Sequence, residues 1–153
     1  MNVVLGLKLG RRLTAAAALR DETFVFHDVR SVPSRADTLE AGITRYLQTL
    51  FEQLKPTHVY YYAPTSTQTT TGRLVLLVEQ AAENHGIPAR RLAKSDVFGG
   101  VSARPARTRR ELRDQVQHLW PTLSEGKFIR QAVLAEAAAA ALIGELRDEW
   151  PPT

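Results

Sequence analysis

A cluster of five arginines is the feature of this sequence best suited to binding an anion. They lie within ten residues that contain one acid, Glu111: Arg104, Arg107, Arg109, Arg110 and Arg113. Guanidinium groups match phosphate oxygens bidentately, so the cluster predicts contacts to nucleic-acid phosphates. A solvated basic face and a protein-docking surface are the alternatives. Gly99, Gly100 and Pro105 precede or interrupt the cluster and predict a mobile loop over 96–107.

A lysine stands where a strand runs into a tight turn. Residues 3–12 read VVLGLKLGRR, an apolar strand pattern that ends in two closely spaced glycines. A phosphate-handling enzyme would place a metal-holding carboxylate here, but this chain has Lys8. Lys8 either holds a phosphate or forms an ion pair with a carboxylate, and we favour the ion pair. Further candidates for a basic surface are Arg11, Arg12 and Lys94.

Glu136 is the carboxylate that most needs a partner. At helical spacing it shares a stripe with apolar residues: Ile129, Val133, Ala140 and Ile143. A charge on such a stripe must be paired, and Lys8 is the favoured partner over a catalytic role. His118 could act as a general base by its residue type, although a surface or packing role is favoured.

The composition indicates one globular domain, 1–153. Of its 153 residues 44% are apolar, which allows burial of about two-thirds of the unfolded surface. The absence of cysteine excludes disulfides, thiolate metal sites and cysteine nucleophiles. No transmembrane segment or signal peptide is recognisable, so we expect a cytoplasmic protein without a membrane partner. The net charge of +4 is weak evidence for nucleic acid, and arginine richness also follows from a GC-rich genome.

The elements that must position these residues follow the order β-β-β-α-β-α-β-α-α. Strands are predicted over 2–7, 13–20, 23–29, 57–63 and 89–95, and a hydroxyl-rich loop over 64–72. Helices are predicted between Pro33 and Pro56, over 73–84, between Thr108 and Pro121, and over 127–149, before Trp150-Pro151-Pro152. Capping boxes are predicted at Asp37 and at Thr108.

This order predicts an α/β fold with a five-stranded mixed sheet. The first three strands are antiparallel, the later ones parallel, and helices cover both faces. In the run Tyr60-Tyr61-Tyr62, alternation along a strand sends the middle tyrosine to the opposite face from its neighbours.

Three stretches resemble the RuvC-type Holliday-junction resolvases, a branch of the ribonuclease H-like fold. VLGLKLG at 4–10 resembles the first strand and turn of the family, where the pattern is Leu-Gly-Ile-Asp-Pro-Gly. RDQVQHLW at 113–120 resembles a late helix with a Gln-Val-Gln-His run. LAEAAAAALIGEL at 134–146 resembles the last helix, where the pattern is Asp-Ala-Ala-Asp-Ala-Leu-Ala.

The resemblance implies four metal-binding positions, and most of them have lost their carboxylate. In the family, four carboxylates hold two divalent cations that flank the scissile phosphate. Carried over to this chain, these positions are Lys8, either Tyr61 or Tyr62, Glu136 and Ala139. At an effective dielectric of about 20, an ammonium roughly 4 Å from a metal would repel each of its two charges by about 4 kcal/mol. The resemblance therefore implies a degenerate, catalytically inactive site without a metal cofactor.

The leading hypothesis is a pseudo-nuclease that binds structured or branched nucleic acid, DNA favoured, through its arginine-rich region. The resemblance also implies a homodimer. One alternative is an active endonuclease that uses Mg²⁺ or Mn²⁺ at a site rebuilt from Glu136 with Asp28 or Asp96. The other is a scaffold module whose basic surface docks an acidic protein and binds no nucleic acid.

Overall fold

A single mixed sheet forms the centre of the molecule. A computed structural model describes residues 2–64, 69–124 and 126–149 of the chain. The strand order is β3-β2-β1-β4-β5, with strands β1 (Val4–Leu9), β2 (Leu13–Arg20), β3 (Thr23–Ser31), β4 (His58–Tyr62) and β5 (Ala89–Leu92). Strands β1, β2 and β3 pair antiparallel, whereas β4 lies parallel to β1 and β5 parallel to β4. The predicted fold class is confirmed.

Helices cover both faces of this sheet, as predicted. They are α1 (Ala36–Leu54), α2 (Thr69–Asn84), α3 (Lys94–Gly99), α4 (Arg109–Leu119) and α5 (Phe128–Glu149), with a 3₁₀ turn at Pro121–Ser124. One apolar core lies between the sheet and helices α1 and α2. The other lies between the sheet and helices α3, α4 and α5. No helix in the described ranges is long and apolar enough to cross a membrane.

The contact between β1 and α5 is unusually close, and the sequence explains why. All six residues of β1 are buried, and the middle of α5 presents an uninterrupted run of alanines. A Cβ atom on Gly6 would lie 2.5 Å from the backbone nitrogen of Ala141 and closer still to the carbonyl oxygen of Ala137. Glycine on the strand and alanine on the helix therefore let the two backbones approach. This approach brings α5 down onto the strand that carries Lys8.

Several local predictions need correction. The prediction of a mobile loop over 96–107 is wrong in its first part, because residues 94–99 form α3, with Val97 and Phe98 buried. Helix α1 is not capped by Asp37: its N-cap is Arg35, and Asp37 lies in the first turn. Helix α2 begins at Thr69, four residues earlier than predicted. The rest of the 64–72 loop, residues 65–68, and the helix stop at 150–152 lie outside the described residues.

The predicted capping box at Thr108 agrees with the structure in one of its two hydrogen bonds, and the predicted tyrosine alternation agrees in full. The Thr108 hydroxyl caps α4 by accepting a hydrogen bond from the Glu111 backbone N–H at 3.1 Å. The Glu111 carboxylate, however, accepts from the backbone N–H of Arg107 at 2.6 Å, one residue before the position expected for a capping box. The tyrosine alternation is also confirmed, because Tyr60 and Tyr62 belong to one core and Tyr61 to the other.

Candidate functional site

Lys8 and Tyr62 lie side by side at the carboxyl edge of the sheet. They are register partners on the neighbouring parallel strands β1 and β4, so their side chains leave the same face. The Lys8 ammonium lies 4.5 Å from the centre of the Tyr62 ring, a cation–π contact. Tyr61 points to the other face, against α1 and α2. Of the two tyrosines left open by the sequence, Tyr62 is the one beside Lys8.

Glu136 on α5 binds two cations at once. Its Oε2 accepts a hydrogen bond from Lys8 Nζ at 2.8 Å, which is the ion pair predicted from the sequence. Its Oε1 accepts two further hydrogen bonds from Arg109, at 2.9 Å from Nε and 2.6 Å from Nη2. Glu136 is only 1% exposed. We call these three residues the Lys8–Glu136–Arg109 triad, and it carries one net positive charge.

Burial and charge act against each other within the triad. Desolvation lowers the pKa of Lys8 below its ordinary value, while the Glu136 charge opposes that shift and Arg109 adds to it. At Tyr62, burial raises the pKa of the phenol, and the nearby Glu136 charge raises it further. Tyr62 therefore stays a neutral phenol at physiological pH. It offers no negative charge to a metal ion.

These residues do not fit the two divalent cations implied by the resemblance. Glu136 is the one carboxylate of the four positions, and both of its oxygens are already bound to cations. Ala139 is buried and supplies no ligand. Across the described ranges, no three His, Cys, Asp or Glu side chains are grouped so that they could hold a metal ion. A hard cation needs several anionic oxygens in one place, and this edge supplies the opposite charge.

The two acids proposed for a rebuilt site lie elsewhere. Asp28 accepts hydrogen bonds from Arg30 at 2.9 Å and from the Tyr46 hydroxyl at 3.0 Å, on the α1 face of the sheet. Asp96 forms an ion pair at 3.0 Å with Arg147. Arg147 lies about 16 Å further along α5 than Glu136, at 1.5 Å per residue. Neither acid joins Glu136.

A cationic cavity of about 370 Å³ opens beside the triad, and we call it the triad pocket. Its four cations come from β1, α3, the loop before α4 and α4 itself. Its lining comprises Lys8, Tyr62, Pro64, Lys94, Phe98, Arg107, Thr108, Arg109 and Glu136. A second cavity of about 610 Å³ shares Tyr62, Pro64 and Lys94 with it and extends toward β5. The two cavities therefore form one groove along the carboxyl edge of β4 and β5.

The basic residues predicted from the sequence divide into three groups. Lys94, Arg107 and Arg109 line the triad pocket. Arg110 and Arg113 lie instead over the Phe128 ring, at 5.7 and 4.8 Å, and Arg113 also pairs with Asp114 at 2.9 Å. The remaining three are exposed, at the turn after β1 and in the loop before α4: Arg11, Arg12 and Arg104.

Sequence reasoning missed the structural role of Arg109. Arg109 and Arg113 do share a helix face, as their spacing predicts, but both contact α5, at Glu136 and Phe128 respectively. No local signal marks Arg109, because its partner is 27 residues away. His118, considered as a general base, is exposed near the end of α4.

Comparison with solved structures supports the fold. The structure of Thermus thermophilus RuvC matches with a TM-score of 0.79 and 15% identity, over 97% of this chain and 96% of that chain. T. thermophilus RuvC in complex with a Holliday junction substrate gives 0.80 and 16%, over 98% and 96%. YeaZ from Pseudomonas aeruginosa is more distant, at 0.51 and 12%, over 75% and 50%.

The sequence itself gives no match. No protein-family model matches the chain, and no curated protein does either. Three-dimensional similarity over nearly its whole length nevertheless establishes that the chain has a RuvC-like, ribonuclease H-like fold.

Proposed function

We propose that this protein binds structured or branched nucleic acid and does not cut it. The observation that carries the proposal is the triad, which puts two cations around a single buried carboxylate at the edge where the resembled nucleases bind metal. Metal-assisted hydrolysis needs an ion to generate hydroxide and to stabilise the leaving oxygen. A lysine and an arginine attract phosphate and can stabilise charge on an oxygen, but they do not generate hydroxide from a bound water.

The distribution of charge supports the binding half of the proposal. The triad pocket holds four cations and one carboxylate. Exposed arginines at 11, 12, 104 and 110 extend the basic surface beyond it. Phosphate contacts made by such residues position a nucleic acid without reading its sequence. The similar T. thermophilus RuvC fold was solved with a Holliday junction, which supports branched DNA as the first ligand to test.

A gel-shift assay with three matched double variants tests the proposal. The ligands are a four-way junction, duplex and single-stranded DNA and the corresponding RNAs, each with and without Mn²⁺. The surface pair, Arg104→Gln with Arg110→Gln, and the pocket pair, Lys94→Gln with Arg107→Gln, each remove two charges. The control pair, Arg20→Gln with Arg45→Gln, removes the same charge from the hairpin at the far edge of the sheet and from α1.

The expected result is a junction complex without cleavage, weakened by the surface and pocket pairs but not by the control pair. Its affinity should fall steeply between about 50 and 200 mM salt, since phosphate contacts release counterions. Cleavage that depends on Mn²⁺ would contradict the inactive site. Absence of any shift at low salt would contradict nucleic-acid binding and favour an acidic protein partner. Equal weakening by all three pairs would show that net charge, not this surface, determines binding.

A further inference from the structure

Two cations in the triad pocket are accessible to a ligand. Lys94 and Arg107 are both exposed and both line the pocket. Within the part of the chain that the structure describes, neither side chain forms an ion pair. Lys94 contacts the Phe98 ring at 5.4 Å, and Arg107 uses its backbone N–H to bind Glu111. Their charges therefore remain available to a ligand.

The charge of the pocket exceeds what one carboxylate can neutralise. Lys8 and Arg109 already share Glu136, so the four cations leave three positive charges around a cavity of about 370 Å³. A phosphodiester brings one negative charge into this field, whereas a phosphate monoester brings nearly two at neutral pH. The monoester therefore gains more from the same cations, and arginine forks can bind two of its oxygens at once.

The shape of the groove agrees with a ligand that has a phosphate at one end. The triad pocket is at the small end of the volume range of ligand sites, and the adjoining 610 Å³ cavity is larger. The larger cavity is lined by Tyr62, Ala63, Pro64, Leu92 and other residues that offer both apolar and polar surface. Arg91, also in its lining, donates a hydrogen bond to the Ala63 carbonyl at 3.0 Å. The volume of this cavity is sufficient for a nucleoside next to a phosphate in the triad pocket.

We propose that the triad pocket binds the phosphate monoester of a phosphorylated nucleic-acid strand end, or of a free mononucleotide. Lys94 and Arg107 supply the direct contacts, and Arg109 supplies a further donor from the triad. Binding of a strand end rests on the proposed function, whereas binding of a free mononucleotide does not. The phosphate chemistry is the same for both ligands. The terminal nucleoside occupies the adjoining cavity.

An NMR titration tests the pocket independently of nucleic-acid binding. Amide spectra of the ¹⁵N-labelled full chain are recorded with thymidine 5′-monophosphate, with inorganic phosphate and with thymidine. The first two should shift amides around residues 94 and 107–109, and thymidine should not. The pocket pair, Lys94→Gln with Arg107→Gln, should lose these shifts, and the control pair, Arg20→Gln with Arg45→Gln, should keep them. Thermal melts of both variants verify that they are folded.

Binding of labelled single strands then tests the strand end. Oligonucleotides with a 5′-phosphate, a 3′-phosphate or only hydroxyl ends are compared at about 0.1 M salt. Oligonucleotides with one of the two phosphorylated ends should bind roughly tenfold tighter, or more, than those with only hydroxyl ends. The reason is that hydrogen bonds between charged groups are stronger than neutral ones. The pocket pair should abolish this difference.

The outcomes separate this inference from the proposed function. Junction binding with no effect of mononucleotide, phosphate or end phosphorylation overturns the inference and leaves the proposed function standing. Mononucleotide binding without binding of any nucleic acid overturns the proposed function and supports the pocket as a site for free phosphate monoesters. Amide shifts that persist in the pocket pair overturn the assignment to Lys94 and Arg107.

Discussion

Substitutions in the buried triad should lower the free energy of unfolding. The loss should be larger at Glu136, which accepts three hydrogen bonds, than at Lys8, which donates one. At 2.8 Å and an effective dielectric of about 20, the attraction between Lys8 and Glu136 is about 6 kcal/mol, much of it offset by desolvation. Glu136→Gln leaves Lys8 and Arg109 facing each other without a counter-charge, so we expect a loss of roughly 4 kcal/mol. Lys8→Met keeps the Arg109 contacts to Glu136 and should lose only about 2 kcal/mol.

Urea unfolding followed by circular dichroism and by tryptophan fluorescence measures both losses, and agreement of the two probes tests for two-state behaviour. The double variant, Lys8→Met with Glu136→Gln, should lose less than the sum of the single losses, with a coupling of about 1–3 kcal/mol. A Glu136→Gln variant within about 1 kcal/mol of the unchanged protein would refute the reasoning. So would a larger loss from Lys8→Met than from Glu136→Gln.

Three further predictions concern packing, pH and metal. Gly6→Ala should lower the free energy of unfolding, measured by urea denaturation, by roughly 3 kcal/mol. Gly72→Ala lies in open space on α2 and should raise it by about 0.5–1 kcal/mol. Burial, with Glu79 nearby, raises the pKa of Tyr61 to about 12, so stability should fall as pH rises from 10 toward 12, and Tyr61→Phe should reduce that slope. Millimolar Mn²⁺ or EDTA should leave the melting temperature unchanged, and a rise with Mn²⁺ would contradict the misfit of this site to metal.

The sign of the pH prediction follows from proton binding. Above pH 10 the phenol of Tyr61 loses its proton in the unfolded chain but keeps it in the folded one. The folded state then binds more protons, so stability decreases with rising pH. The stabilisation is complete below pH 10, and about two pKa units correspond to at most roughly 3 kcal/mol. A flat stability profile between pH 10 and 12 would contradict a buried, protonated Tyr61.

The sheet and the long helices could be predicted because their patterns are local. β1 is an apolar run interrupted only by Lys8, as expected for a strand buried on both faces, and α5 is long and rich in alanine. Helix α3 could not be predicted in this way, since six residues ending at Gly99 have little helical propensity of their own. Burial of Val97 and Phe98, together with a hydrogen bond from the Ala93 N–H to Asp96, holds it in place.

The site was predictable in its chemistry but not in its full set of contacts. An isolated carboxylate on an apolar helix face requires a partner, and only one cation lies on the strand beneath it, so the Lys8–Glu136 pair follows from charge and burial. The second partner depends on where the N-terminus of α4 packs against α5, which is a tertiary contact. The choice between Tyr61 and Tyr62 depends on the register of β4 against β1, which shifts by one residue with the strand boundary.

The residues that do not fit a metal ion at this edge are the ones that supply the charge proposed for anion binding. A ring of carboxylates repels a phosphate and can approach it only through bridging cations. Lys8 in place of the first carboxylate, with Arg109 bound to the remaining one, makes this edge positive without any ion. Fixed cations of this kind attract a phosphate directly, yet they carry no water whose pKa they could lower to make a nucleophile. In the proposed function, binding and hydrolysis are thereby separated at one position of the fold, and metal-assisted cleavage would require at least a reversed charge at Lys8 and release of Glu136 from Arg109.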